Sequence, residues 1–301
     1  MDLEFFKLLM DNTKFPEEAK TETLRCAQLV IEKGQEEALD GAVEFYYDHD
    51  LDMKLVTPLV ESIGEESGIH LYMAWQLFLL QTSKPAVEAY REKGVPEAII
   101  WDTFSDLRYK TLECKNVYGT WGIFVSFWYP IFFSCDLVKL GRLEYENILY
   151  HGETYEKNGY VLKDGDPVKN IHIPSSGEPF DKASRLASYK KAYEFFKEER
   201  NGGPLVCVCH SWLLYPENRK ILPPTSNIVS FMGDFDLQRG EIEEEFHDAW
   251  RVFGSDAQKP AEQLPEKTSM QRAFKQWLVE GNKTGEGFGI LIFDGESIVN
   301  Q

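Results

Sequence analysis

The sequence predicts an α+β protein, with an N-terminal helical domain over residues 1–140 and a sheet domain flanked by helices over residues 141–301. Three observations carry that prediction. Through the first 110 positions apolar residues recur at helical spacing and never in strict alternation. From Leu143 the chain turns to short β-branched and aromatic runs punctuated by Asn158-Gly159 and Asp164-Gly165, both strong hairpin signals. Leu205 to Cys209 is a continuous apolar run bounded by Gly202-Gly203-Pro204, too short for a helix, and reads as a strand buried on both faces.

The elements follow in order. Leu3, Phe6, Leu9 and Met10 make one helical stripe, and Leu24, Ala27, Leu29, Val30 and Ile31 a second. Leu55, Leu59, Val60 and Ile63 make a third. Ile69 to Leu80 is apolar nearly all round, as the central helix of a bundle would be. Ser83-Lys84-Pro85 predicts a cap and a new helix, ending at Lys93-Gly94, with Val95-Pro96 opening the next. Residues 111–140 form an aromatic bridge. Strands are predicted over Leu143 to Tyr150, Gly159 to Lys163 and Val168 to Ile173, then a helix from Asp181 to Glu199. After the central strand come a short helix near Glu217, a strand over Ala249 to Phe253, a helix from Ser269 to Glu280 and a last strand, Phe288 to Phe293. Asn282 to Gly287 reads as a turn.

Composition narrows the function. The net charge of −18 argues against general nucleic-acid or anionic-membrane binding, which need a basic face. The N-terminus lacks the basic start and apolar core of a signal peptide. The most apolar stretch, Trp121 to Phe133, is shorter than the ~20 residues a membrane span requires. Five scattered cysteines suit a reducing compartment, and Cys207 and Cys209, roughly 6.6 Å apart on one strand face, suit a disulfide poorly. A soluble, cytoplasmic protein is expected, of undetermined oligomeric state.

Several separated motifs then fall in one order: Val95-Pro96 with Asp102 to Asp106, Leu140 to Glu146, His172-Ile173-Pro174, Cys209 to Pro216, Ser226-Asn227-Ile228 with Phe231 and Phe235, and Thr268 to Ala273. Together they resemble bacterial acyltransferase-domain proteins that join a helical N-terminal domain to a GNAT-like C-terminal domain. The resemblance implies a mixed sheet and an N-acyltransferase reaction, moving an acyl group, acetyl first among them, from acyl-CoA to a small-molecule amine or peptide acceptor without a metal. It also implies that the donor inserts between Val168 to Ile173 and Leu205 to Cys209. The phosphate-cradling loop would be residues 174–180, through Ser175, Ser176 and Gly177, with Lys182 and Arg185 adding charge. Cys209 and Ser211 end the central strand and are further donor-contact candidates.

The catalytic candidates are Glu144, Glu146, His172 and Tyr215. Glu144 and Glu146 stand two apart, hence on one strand face, where either can accept an amine proton. His172 ends a strand and is the side-chain type suited to proton transfer near neutral pH. Tyr215 stands where the resemblance implies a proton donor for the departing thiolate. Arg142, Trp212, Asn227 and Arg272 are substrate-binding candidates. Each has a bland alternative: a structural histidine, a solvated sheet face, interface packing for Tyr215, a turn cap for Asn227. Cys209 and His210 point to opposite faces and make no dyad. Cys207, Cys209 and His210 lack a second ligand pair for zinc, and Ser211 lacks a nucleophile elbow. The second functional reading is a GNAT-like small-molecule binding or scaffolding protein without catalysis, favoured by the single glycine, two prolines and Glu178 of the 174–180 loop.

Overall fold

A computed structural model describes all 301 residues. They form two units, Met1–Lys139 with Pro174–Ser176, and Leu140–Ile173 with Gly177–Gln301.

The first unit is helical. α1 (Leu3–Asn12) starts at Asp2, whose carboxylate accepts the Phe5 amide at 2.9 Å and so satisfies one of the free donors of a helix start. α2 (Glu17–Glu32) and α3 (Glu36–Asp48) follow. In α4 (Met53–Ser67) the inward face is Val56, Val60 and Ile63, while Leu55 and Leu59 are exposed, one step round from the predicted stripe. Gly64 explains the rotation. A Cβ there would sit 3.2 Å from that of Ala74, so the small residue decides which face meets the next helix. α5 (Leu71–Glu92) runs unbroken through Ser83-Lys84-Pro85, where the sequence predicts a break. Thr82 and Ser83 bond back to the carbonyls of Phe78 and Leu79 at 2.7 Å instead of capping. Burial of this helix on nearly all sides outweighs the ~3 kcal/mol cost of an internal proline. α6 (Glu97–Phe104), α7 (Asp106–Tyr118) and α8 (Pro130–Phe133) complete the unit. Gln76, fully buried on α5, donates to Thr23 of α2 at 2.6 Å and accepts from Thr111 of α7 at 3.0 Å, so one satisfied amide ties three helices.

β1 (Leu137–Leu140) leads the chain into the second unit. β2 (Leu143–Leu149) is followed by the hairpin β3 (Tyr155–Lys157) and β4 (Tyr160–Leu162), whose two-residue turn has Asn158 and Gly159 at φ of 51° and 82°. β5 (Pro167–His172), α9 (Lys182–Phe195) and β6 (Leu205–Ser211) come next. α10 (Asn218–Ile221), α11 (Asn227–Met232), β7 (Asp236–Ile242), α12 (Ala249–Phe253), α13 (Ser269–Val279) and β8 (Gly285–Phe293) finish the chain. The predicted strand over Ala249 to Phe253 is therefore the helix α12. Its buried residues, Ala249, Val252 and Phe253, stand at helical spacing.

β2, β5, β6, β8 and β7 lie side by side in that order; β5 and β6 are parallel and the other neighbours antiparallel. On one face, α9 covers Tyr145 and Leu143 through Ser188, and Tyr189 packs on Phe293 with ring centroids 6.0 Å apart. On the other, the hairpin β3–β4 covers Val168, Val208, Ile290 and Ile292 with Tyr155 and Leu162. Buried Asn300 locks that cluster, bonding to Ile292, Ile290 and Tyr155 at 2.8–3.0 Å.

β8 begins inside the predicted turn. Gly285, Gly287 and Gly289 alternate with Glu286 and Phe288, so one strand face carries no side chains there. A Cβ at Gly287 would fall 2.0 Å from the Leu214 carbonyl, and one at Gly285 2.7 Å from the Tyr215 ring. The glycines let the turn after β6 lie directly on the strand, a use of glycine inside a strand that resembles turn composition.

Arg185 of α9 is fully buried. Its Nε donates to Asp234 at 2.6 Å, and its other nitrogens to the Phe180 carbonyl and the Ser230 hydroxyl at 2.9 Å each. The Tyr189 hydroxyl also donates to Asp234, at 3.0 Å. The guanidinium is thus committed to the interior and is not a phosphate ligand, contrary to expectation. Arg185→Met should cost about 3–5 kcal/mol in urea unfolding by stranding the Asp234 carboxylate, and pairing it with Asp234→Leu should recover much of that loss.

Candidate active site

The site is set by where a ladder stops. β5 and β6 pair only at Lys169 with Cys207 and at Asn170 with Val208. β5 nevertheless continues to His172 along β2, and β6 to Ser211 along β8. Ile171 and His172 on β5, and Cys209 and His210 on β6, therefore lie beyond the shared ladder, at the carboxyl ends of two parallel strands, where open sheets bind ligands.

Alternation puts Glu144, Glu146, Asn170 and His172 on the face opposite α9. Glu144 is the register partner of His172, and Glu146 that of Asn170. The Nε2 of His172 lies 2.8 Å from Glu146 Oε2, and the Asn170 amide donates to the same oxygen at 2.9 Å. Burial pushes the Glu146 carboxyl up, but the bonds from His172 and Asn170 outweigh it and hold the group below its ordinary 4.5. Glu146 is thus a carboxylate at neutral pH, placed to orient the ring and to balance an imidazolium. His172 keeps partial access to solvent, with a side chain 20% exposed. Glu144 is buried beside it.

The remaining sequence candidates are dispersed. Ser175 and Ser176 belong with the first unit. Gly177, at φ 76°, and Lys182 are exposed in the second. At the start of α9 the Asp181 carboxylate accepts the Ser184 amide at 2.8 Å and is held below the usual carboxylate range by that bond, so a negative charge already occupies the helix N-terminus. Cys209 is fully buried on the α9 face, where burial pushes its thiol far up; it is packing, not a donor contact. Ser211 caps the turn that follows β6, accepting from the Leu213 amide at 3.2 Å. Tyr215 is buried against Gly285 of β8, on the α9 face and one strand away from the gap, which takes it out of the group around His172. Trp212 packs edge-on against Phe246 and Phe274 in a second apolar cluster. Asn227 is the exposed first residue of α11, and Arg272, also exposed, holds the Glu266 carbonyl at 2.9 Å. Arg142 stacks over Phe180, 4.9 Å from its centroid.

Two groups escaped the sequence reading. Asn170 fixes the Glu146 carboxylate and could have been found from its i−2 spacing to His172 on one strand face. Glu286 lies 3.2 Å, Oε2 to Nε2, from His210. It is distant in sequence and sits within the glycine-rich stretch taken for a turn.

A depressed carboxylate contributes stability that is present in full above its ordinary value and is lost as pH falls through the lower, folded one. The melting temperature of the wild type should therefore exceed that of Glu146→Gln at neutral pH, and the difference should shrink as pH falls from about 5 toward 3.

Comparison with known proteins places this geometry. The sequence profile of an N-acyltransferase N-terminal domain matches residues 4–135, and that of a GNAT-like C-terminal domain residues 137–291. A search of curated protein sequences finds no match. Among solved structures, an acyltransferase variant in complex with octanoyl-CoA superposes with a TM-score of 0.72 at 20% identity, covering 96% of this chain and 88% of the other. An acyltransferase in complex with decanoyl-CoA and teicoplanin gives 0.70 at 20% identity, over 95% and 87% of the two chains. The same coverage and identity hold for an acyltransferase with decanoyl-CoA alone, at 0.69. With both profiles matched in sequence and nearly the whole chain spanned, this protein belongs to the family that joins an N-acyltransferase N-terminal domain to a GNAT-like C-terminal domain.

Proposed function

We propose that the second unit transfers an acyl group from acyl-CoA to an amine by direct attack, with His172 as the proton-transfer residue. The observation that carries this reading is the Glu146–His172 pair at the point where the β5–β6 ladder ends. The solved neighbours that hold acyl-CoA support the donor, and the one that also holds teicoplanin supports a small-molecule or peptide-type acceptor. Strand edges beyond Asn170 and Val208 lie outside the ladder and suit an extended, amide-bearing donor arm. His172 takes a proton from the attacking nitrogen as the C–N bond forms. The carbonyl then re-forms, the C–S bond breaks, and the imidazolium returns the proton to the thiolate, so one residue balances the exchange for a neutral amine. Glu146 steadies the imidazolium, and Asn170 fixes Glu146.

Thiol release from acetyl-, octanoyl- and decanoyl-CoA with an amine panel tests the reading and sets the acyl length. Wild type should release thiol only when amine is present. His172→Ala should lower kcat by about 10²-fold or more with little change in KM for the donor. The alternative, a binding protein without acyl transfer, draws on the Asp181 carboxylate at the α9 N-terminus. It would be favoured if CoA raised the melting temperature while no amine elicited thiol.

A further inference from the structure

The gap in the sheet has a second histidine–carboxylate pair on its other lip. Continuing the β5–β6 register by two residues brings His172 level with His210, and alternation puts both on the same face. Each is backed by a glutamate from its outer neighbour: Glu146 on β2 for His172, and Glu286 on β8 for His210. The His210 side chain is 44% exposed, edge-on to Phe288 at 6.4 Å. Its Nε2 faces Glu286, so the ring nitrogen not engaged there is Nδ1. Charged groups around the pair are mostly acidic. Glu241 lies opposite Glu286 and pairs with Arg239 at 3.0 Å, and Arg239 also stacks over Phe288 at 4.9 Å. Burial and the charge of Glu286 push the Glu243 carboxyl up, with His247 and Asp248 nearby. Across the gap stand His172 and Glu146.

An amine acceptor creates a need that His172 alone does not meet. Alkylamines reach the site as ammonium at neutral pH, since such groups titrate near 10. Nitrogen then has two protons to lose, while the thiolate takes only one. We infer that His210, held by Glu286, removes the first proton from an ammonium acceptor at the lip of the gap, leaving the neutral amine to attack as His172 takes the second. This rests on the acyl-transfer reading. The balance is R–NH3+ plus thioester to amide, thiol and one proton, which leaves from His210 to solvent. The surrounding carboxylates favour the cation's approach and the imidazolium that results.

The test compares phenethylamine, a cation at neutral pH, with aniline, which is neutral there, using octanoyl-CoA as donor. His210→Gln should lower kcat/KM for phenethylamine about 10–10²-fold at neutral pH, recover as pH nears about 10, and leave aniline unchanged. In that variant kcat/KM for phenethylamine should keep rising about tenfold per pH unit from neutrality to about 10, following the free-amine fraction, where the wild-type value rises less steeply. Glu286→Gln should show the same acceptor dependence in weaker form and guards against a folding defect in the first variant. Equal losses with both acceptors, or no loss with phenethylamine, would overturn the role of His210 while leaving acyl transfer standing. Wild type that released no thiol with either amine would overturn both.

Discussion

Two backbone registers hold β5 to β6, and the site depends on there being no more. A parallel ladder left to itself propagates, because buried amides and carbonyls left unmatched cost free energy. Here each lip is held from outside, β5 by antiparallel pairing with β2 through His172 and β6 by pairing with β8 through Ser211. The outer ladders keep both strands extended past the point where the inner one ends. Side chains on the two lips then share a face by alternation alone, His172 on one and His210 on the other, with no loop involved.

The same sheet separates chemistry from packing. On the α9 face the polar groups are consumed: Arg185 by Asp234, Ser188 by Tyr145 and the Leu140 carbonyl, and Cys207 and Cys209 by burial. On the opposite face the apolar half lies under the β3–β4 hairpin, and the end of the sheet where β5 and β6 terminate carries the ionisable residues. Half-buried Glu146 is held below its ordinary range, against the pull of burial, by His172 and Asn170 converging on one oxygen and by the charge of His172.

Much of this was legible in the sequence, and what was not has physical reasons. The helical first unit, the Asn158-Gly159 hairpin and the central strand at Leu205 announce themselves through period and turn chemistry. That Glu144 and Glu146 share a strand face was legible because alternation is a local rule. Pairing Glu286 with His210 needs a register between distant strands, which no local pattern encodes. Arg185 misled because a basic residue in the first turn of a helix looks the same whether it faces solvent or the interior. Its partner, Asp234, stands 49 positions away. Ser83-Lys84-Pro85 misled because capping composition is outweighed when a helix is buried on almost every side.

The bare glycine face of β8 also acts on folding. A strand that slips by one residue turns every side chain to the other face. Such a slip in β8 would drive the Cβ of Glu286 or Phe288 into the space now held by the Leu214 carbonyl and the Tyr215 ring, where a Cβ at Gly285 or Gly287 already finds no room. The three glycines therefore work as a key cut for one register. A misaligned β8 is rejected by backbone collision before side-chain packing is tested, and the glutamate behind His210 reaches its place as a by-product of that alignment.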